Sequence, residues 1–308
     1  GGWSSVEGYM RHLDCIVPTV APADPSGQSN QAPSPPPRYP LSRIAFGVLT
    51  TESCYRNRAA AVKDTWWRDV QRGGFYGDAP DEELPITPYM LLEEGGPADE
   101  WHREVLREHV ERADYLSSMP KFMLMLFDLH YRCPECDWFF VGGDDNFVAP
   151  GHLQPLLESL NSSDRIMAGG PIGRHVGVGA YPSGGSGIIF SRGFAAAASR
   201  HLAPFAVSWL GGRGQRYLCH PCGDIAFGVL ARDIGARVEE LPCLHGMWPE
   251  YFSLHSSPAV PACASLVGSA QQPRVTCPRP ATFHYVQPRS MRLLYHFFTR
   301  HRNPAAQQ

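Results

Sequence analysis

The stretch Asp137-Trp138-Phe139-Phe140-Val141 runs without interruption into Gly142-Gly143-Asp144-Asp145-Asn146. A short aromatic and β-branched run of this kind reads as a buried strand. Ending it on two adjacent carboxylates constrains the fold. The mutual repulsion of the pair must be compensated, either by water at a surface turn or by a ligand at the end of a sheet. Both readings stand at this point. Gly-Gly-Asp-Asp-Asn is good turn composition. It is equally suited to Mg²⁺ or Mn²⁺, which take oxygen ligands and commonly hold one or two carboxylates with substrate phosphates.

The flanking pattern favours a sheet. Residues 44–50 form an apolar run expected as a buried strand, and 56–70 a helix carrying Ala59, Val62, Trp66 and Val70 on one side. Residues 86–92 are expected as a second strand. Three further helices are expected: 101–116, with Val105, Leu106 and Val110 inward; 121–131, very apolar; and 153–160, short. Strands alternating with helices give a mainly parallel, Rossmann-like α/β sheet, whose ligands bind beyond the carboxyl ends of the strands. Asp144 and Asp145 sit at such an end. No G-x-G-x-x-G follows a strand, and no P-loop is present.

With 308 residues, 43% of them hydrophobic, the chain can bury a substantial core. Its 27 basic residues against 30 acidic give a net charge of −3, which argues against a nucleic-acid binder. The first forty residues hold eight of the 29 prolines and read as an extended, poorly ordered stem over 1–40, with one domain over 41–308. No membrane span is expected: the longest apolar stretch, 193–212, is broken by Arg200, His201 and Pro204. The amino terminus lacks the basic and apolar regions of a signal peptide.

Three more segments carry candidate chemistry, each with a plainer alternative. Asp224 precedes the apolar periodic residues Ile225, Val229, Leu230 and Ile234, as a helix N-cap or as a general base at a helix start. The glycines of 181–192 make a tight turn into a strand, or let backbone approach a ligand. His284, between Phe283 and Tyr285, is a packed core residue or a metal ligand. The pairs Cys133-x-x-Cys136 and Cys219-x-x-Cys222 admit a zinc site, although 82 residues separate them, far beyond a zinc ribbon's spacing.

Taken together and in order, these segments resemble the inverting β1,3-glycosyltransferases of the Fringe and core 1 β1,3-galactosyltransferase group. Val62-Lys63-Asp64-Thr65-Trp66 resembles that family's K-x-T-W helix after its first strand and Thr50. Residues 139–148 resemble its strand-plus-Asp motif, with Gly143 where the first Asp of the triplet stands. Residues 181–192 resemble its S-G-G-x-G-x-x-x-S-R loop, 223–228 its E-D-x-x-x-G segment, and 283–286 the F-H-Y-V of the core 1 enzymes.

The resemblance implies a GT-A fold with a disulfide-stapled, loop-rich C-terminal half. It implies a metal-dependent, inverting β1,3 transfer from a UDP-sugar, best matched by galactose, to a hydroxyl of a glycan or glycoprotein. Asp224 would be the base. Asp145 and His284 would hold Mn²⁺ or Mg²⁺. Thr50, Arg58, Lys63, Asp144 and Asp145 would face the donor, and Gly184, Gly185, Trp248 and Tyr251 the acceptor. Trp66 is a further donor-side candidate, with core packing as its alternative. Transfer of N-acetylglucosamine or glucose is the runner-up, and an inactive carbohydrate-binding member of the fold, suggested by Gly143, a second class. A homodimer is one assembly compatible with this reading.

A Golgi or endoplasmic-reticulum lumen, with type II anchoring in the full-length protein, follows from the family. The Asn161-Ser162-Ser163 sequon agrees with that compartment. There the nine cysteines would form disulfides, with Cys15 the candidate for the odd thiol.

Overall fold

The computed structural model describes residues 6–16, 37–217, 219–249, 277 and 279–300. Ten strands are described: β1 Ile44–Leu49, β2 Gly73–Tyr76, β3 Trp138–Gly143, β4 Phe147–Val148, β5 Ile166–Gly169, β6 Ile172–His175, β7 Gly179–Pro182, β8 Ile188–Ser191, β9 Arg237–Glu240 and β10 Thr282–Phe283. The α-helices are α1 Val6–Ile16, α2 Ala60–Asp64, α3 Glu100–Val110, α4 Ser118–Arg132, α5 Pro150–Leu157, α6 Arg192–Ala198, α7 Leu202–Ser208, α8 Gly223–Asp233 and α9 Pro288–Arg300.

Six strands form the central sheet in the order β2-β1-β3-β8-β5-β9. β1 is parallel to β2 and β3, and β5 is parallel to β9. Only β8 runs against its neighbours. The sheet is therefore mainly parallel, and the carboxyl ends of five strands share one edge with the amino end of β8.

Alternation along the strands feeds two apolar layers. Ile44, Phe46, Val48, Trp138 and Phe140 face α1, α2, α5 and α9. Ala45, Phe139, Val141 and Phe190 face α3, α4, α6, α7 and α8. α4 is apolar on nearly every side, which suits a helix buried between sheet and outer helices. Mixed α/β architecture with helices on both faces is the GT-A-like fold the sequence leads one to expect.

Four elements differ from expectation. Residues 86–92 form a single bridge, Phe75 with Ile86, and then a 3₁₀ turn at Met90–Leu92. Pro85 and Pro88 bracket the segment and remove the donors a second ladder needs; the second strand is β2 instead. The helix over 56–70 splits into a π-turn, α2 and a 3₁₀ turn. It breaks at Thr65, whose hydroxyl donates back to the Ala61 carbonyl at 2.6 Å while Trp66 turns into the core. The helix over 101–116 stops at Val110, and Asp114 then caps a separate 3₁₀ turn, Tyr115–Ser117. Within the proline-rich start, α1 buries Tyr9 and Leu13, four residues apart, in the main core, so this part of 1–40 is a packed helix.

Disulfides join Cys133 to Cys136, Cys219 to Cys222 and Cys243 to Cys277. This removes the zinc reading, because both C-x-x-C pairs are closed on themselves. Cys54 is a free thiol, whereas the side chain of Cys15 lies outside the described residues. Among the described residues no helix is long and apolar enough to cross a membrane.

Candidate functional site

The site forms where the strand ends meet. Leaving β3, the chain turns through Asp144, Asp145 and Asn146 into β4, which pairs antiparallel with β10. Their register places Phe283 opposite Phe147, so the next residue, His284, comes to the Asp turn. Val286 N–H donates to the Asp145 carbonyl at 2.9 Å and ties the turn to the strand's exit. His284 Nε2 thereby lies 3.5 Å from Asp145 Oδ2. The other ring nitrogen, Nδ1, lies 3.3 Å from the Gly246 carbonyl. The tautomer with its hydrogen on Nδ1, toward this carbonyl, is the one that turns the Nε2 lone pair toward Asp145. One carboxylate oxygen and one imidazole nitrogen could together contribute to holding a divalent cation, with a carbonyl orienting the imidazole from behind.

Asp144 points the other way and is buried. It accepts from Thr50 Oγ1 at 2.7 Å, and Arg58 stands 3.9 Å away. Burial lifts its pKa to about 6; Thr50 pulls it down, Asp145 pushes it up and Arg58 opposes.

Across the site, Asp224 occupies the first turn of α8, whose N-cap is Cys222. Asp224 is therefore not the N-cap residue, although its carboxylate serves one first-turn amide as well as the glycine loop. Oδ2 accepts from Gly184 N–H at 3.0 Å, and Oδ1 from Ile225 N–H, in the first turn of α8, at 2.8 Å. The neighbouring Gly185 faces the other centre: a Cβ there would stand 2.3 Å from His284 Nδ1. Two consecutive glycines thus separate Asp224 from the Asp145–His284 pair, touching one on each side.

Asn146 was legible only as turn composition, yet it stitches the two halves together. Its Oδ1 accepts from Gly143 N–H at 2.7 Å, and its Nδ2 donates to the Gly185 carbonyl at 2.6 Å. Trp66, fully buried, donates its indole N–H to the Asn146 carbonyl at 3.0 Å. Gly143 leaves room beside Asp145, since a Cβ there would lie 3.0 Å from Asp145 Oδ1.

Thr50, Arg58, Asp144, Asp145, Asp224, Gly184, Gly185 and His284 are therefore drawn together. Lys63 is not: it is exposed, and its ammonium donates to the Glu83 carbonyl. Trp248 reaches the rim, edge-on to Tyr285 with ring centroids 5.9 Å apart. Tyr251 lies outside the described residues. The end of the glycine segment is structural: Ser191 caps α6, and Arg192 approaches the buried Asp137 at 3.5 Å.

A family model described as Fringe-like matches residues 40–247. Human chondroitin sulfate synthase 3 is 24% identical over 180 residues, 54% of this chain and 19% of that protein. Glycoprotein-N-acetylgalactosamine 3-beta-galactosyltransferase 1 of Xenopus laevis is 24% identical over 151 residues, 49% of this chain and 36% of that protein. Human beta-1,3-glucosyltransferase is 23% identical over 216 residues, 69% of this chain and 37% of that protein. The matches thus span between 19% and 37% of these relatives' own lengths.

Proposed function

The chain belongs to the Fringe-like family, and on that premise we propose that it is an inverting, metal-dependent β1,3-glycosyltransferase. It moves a hexose, galactose by preference, from a UDP-sugar to a hydroxyl of a glycan or glycoprotein in the secretory lumen. One observation carries the reading: Gly184 and Gly185 set a carboxylate on one side and an Asp–His pair on the other.

Asp224 accepts the proton of the acceptor hydroxyl while that oxygen attacks the anomeric carbon. The bond from the anomeric carbon to the diphosphate oxygen breaks on the opposite face, so configuration inverts, and the nucleotide leaves with the bonding pair. The two N–H groups on Asp224 fix its carboxylate in place. Asp145 and His284 would hold Mn²⁺, which when bound offsets the charge of the leaving diphosphate. Thr50, Asp144 and Arg58 form the polar wall on which the nucleotide's ribose side is oriented.

The test is a donor screen with Mn²⁺ and simple glycoside acceptors, reading nucleotide release. Asp224→Asn should lower turnover by about 10²- to 10⁴-fold while UDP still binds; near-normal turnover refutes the base. Asp145→Ala should abolish activity, and a variant that stays active and metal-dependent refutes the ligand assignment.

A further inference from the structure

Eight large apolar side chains are exposed among the described residues, Tyr115, Trp248 and Tyr285 among them; Trp248 and Tyr285 meet edge-on, with ring centroids 5.9 Å apart. Tyr115 is 67% exposed and Tyr285 52%. Scattered single aromatics at a surface call for no explanation, but one held against the segment that carries a candidate base does.

Tyr115 stands on a turn fixed from several sides. Asp114 caps it through Ser117 N–H at 2.9 Å, and Ser118 Oγ donates to the Pro221 carbonyl at 3.1 Å. The Tyr115 hydroxyl lies 3.6 Å from Cys222 Sγ, in the disulfide that closes the loop ahead of α8. Asp224 follows Cys222 by two residues. Partial burial raises the pKa of Tyr115, and Asp224 and Tyr285 raise it further. Tyr285 itself is the one non-glycine residue with positive φ among those described, at 53°. Such a conformation costs roughly 1 kcal/mol or more and persists only where the surroundings impose it. Here His284, its ring tilted 31° against the Tyr285 ring with centroids 3.7 Å apart, faces Asp145, while Tyr285 is exposed.

A pyranose presents an apolar C–H face and a polar rim of hydroxyls. A rigid aromatic face beside a carboxylate matches both. We infer that Tyr115, on a turn clamped to the Cys219–Cys222 loop, forms an aromatic wall of an acceptor-sugar subsite, holding a hexopyranose ring with one hydroxyl toward Asp224. This rests on the transferase reading and adds a segment, 114–118, that no sequence motif marked.

The test compares wild type with Tyr115→Ala and Tyr115→Phe, using UDP-galactose, Mn²⁺ and methyl glycosides of galactose, N-acetylgalactosamine and glucose. Tyr115→Ala should raise the acceptor KM about tenfold. The donor KM and acceptor-independent donor hydrolysis should stay unchanged. Tyr115→Phe, which keeps the ring, should stay within about twofold of wild type in the same acceptor KM. An unchanged acceptor KM in Tyr115→Ala overturns the inference, as does a parallel loss of donor hydrolysis. If wild type transfers nothing, the transferase reading fails, and the subsite is judged by ligand-observed NMR on the same glycosides. Binding that is lost in Tyr115→Ala sustains the subsite, and absence of binding to wild type overturns it.

Discussion

Gly185→Ala perturbs the Asp145–His284 pair, the proposed metal site, without removing either side chain. The added methyl carbon would stand 2.3 Å from His284 Nδ1, 2.7 Å from Cε1 and 3.0 Å from Cγ. Carbon and nitrogen at rest need about 3.5 Å, so the ring must retreat by about 1 Å. The backbone cannot carry that shift, because Phe283 is fully buried in β10 and His284 N–H donates to the Met247 carbonyl at 3.2 Å. The imidazole must turn instead. Metal–ligand distances tolerate about 0.2 Å, and the turn would carry Nε2 out of that tolerance. Mn²⁺ affinity is expected to fall by about 10- to 100-fold, the size of lesions that misorient a ligand. Overpacking should cost about 1–3 kcal/mol of stability. The assay is a titration of free Mn²⁺ by electron paramagnetic resonance with UDP present, alongside a thermal melt. Gly184→Ala is the companion: its Cβ would meet Asp224 at 3.3–3.4 Å, a contact that small adjustments absorb. It should leave Mn²⁺ affinity intact while lowering turnover. A folded Gly185→Ala that binds Mn²⁺ within twofold of wild type would falsify the geometry argued for the pair.

Three other outcomes are expected. Asp128 is fully buried, and burial raises its pKa to about 8 against the pull of the Leu91 N–H and Arg132. The folded state therefore holds a proton that the unfolded chain has released. Stability should fall by about 1.4 kcal/mol per pH unit from about pH 4 to pH 8 through this group alone, and melts of Asp128→Asn should lose that slope and exceed wild type at pH 8. Opening Cys243–Cys277, 34 residues apart, with a double serine variant should cost about 4 kcal/mol by loop entropy, visible in denaturant unfolding. Asn146→Asp places an oxygen against the Gly185 carbonyl now served by Nδ2; turnover should drop at least tenfold with the fold retained by circular dichroism, and a fully active variant would show that the stitch is dispensable.

Much of this site was readable because its parts lie in contiguous runs. A strand ending on Asp144-Asp145, a glycine pair before a strand and an acid opening an apolar helix each announce themselves locally. What joins them does not. β4 and β10 are two residues long, too short for periodicity, yet their pairing brings His284 to Asp145. Proline chemistry misdirected the reading at 86–92, where apolar residues without amide donors imitate a strand. Lys63 shares a helix pattern with the donor-side residues but spends its charge on the Glu83 carbonyl. Tyr115 carried no signal at all, since its neighbours in space come from the far side of the sequence.

The reversed direction of β8 has an evolutionary consequence. The side of the site that carries Thr50, Asp144 and Asp145 is built by chain leaving β1 and β3, whereas the glycine pair is built by chain arriving at β8 from the β6–β7 hairpin. Length can be gained or lost in that hairpin without moving the ends of β1 or β3. On the proposed transferase reading, recipient choice and donor handling would thereby sit on separate stretches of chain, free to diversify at different rates within one scaffold.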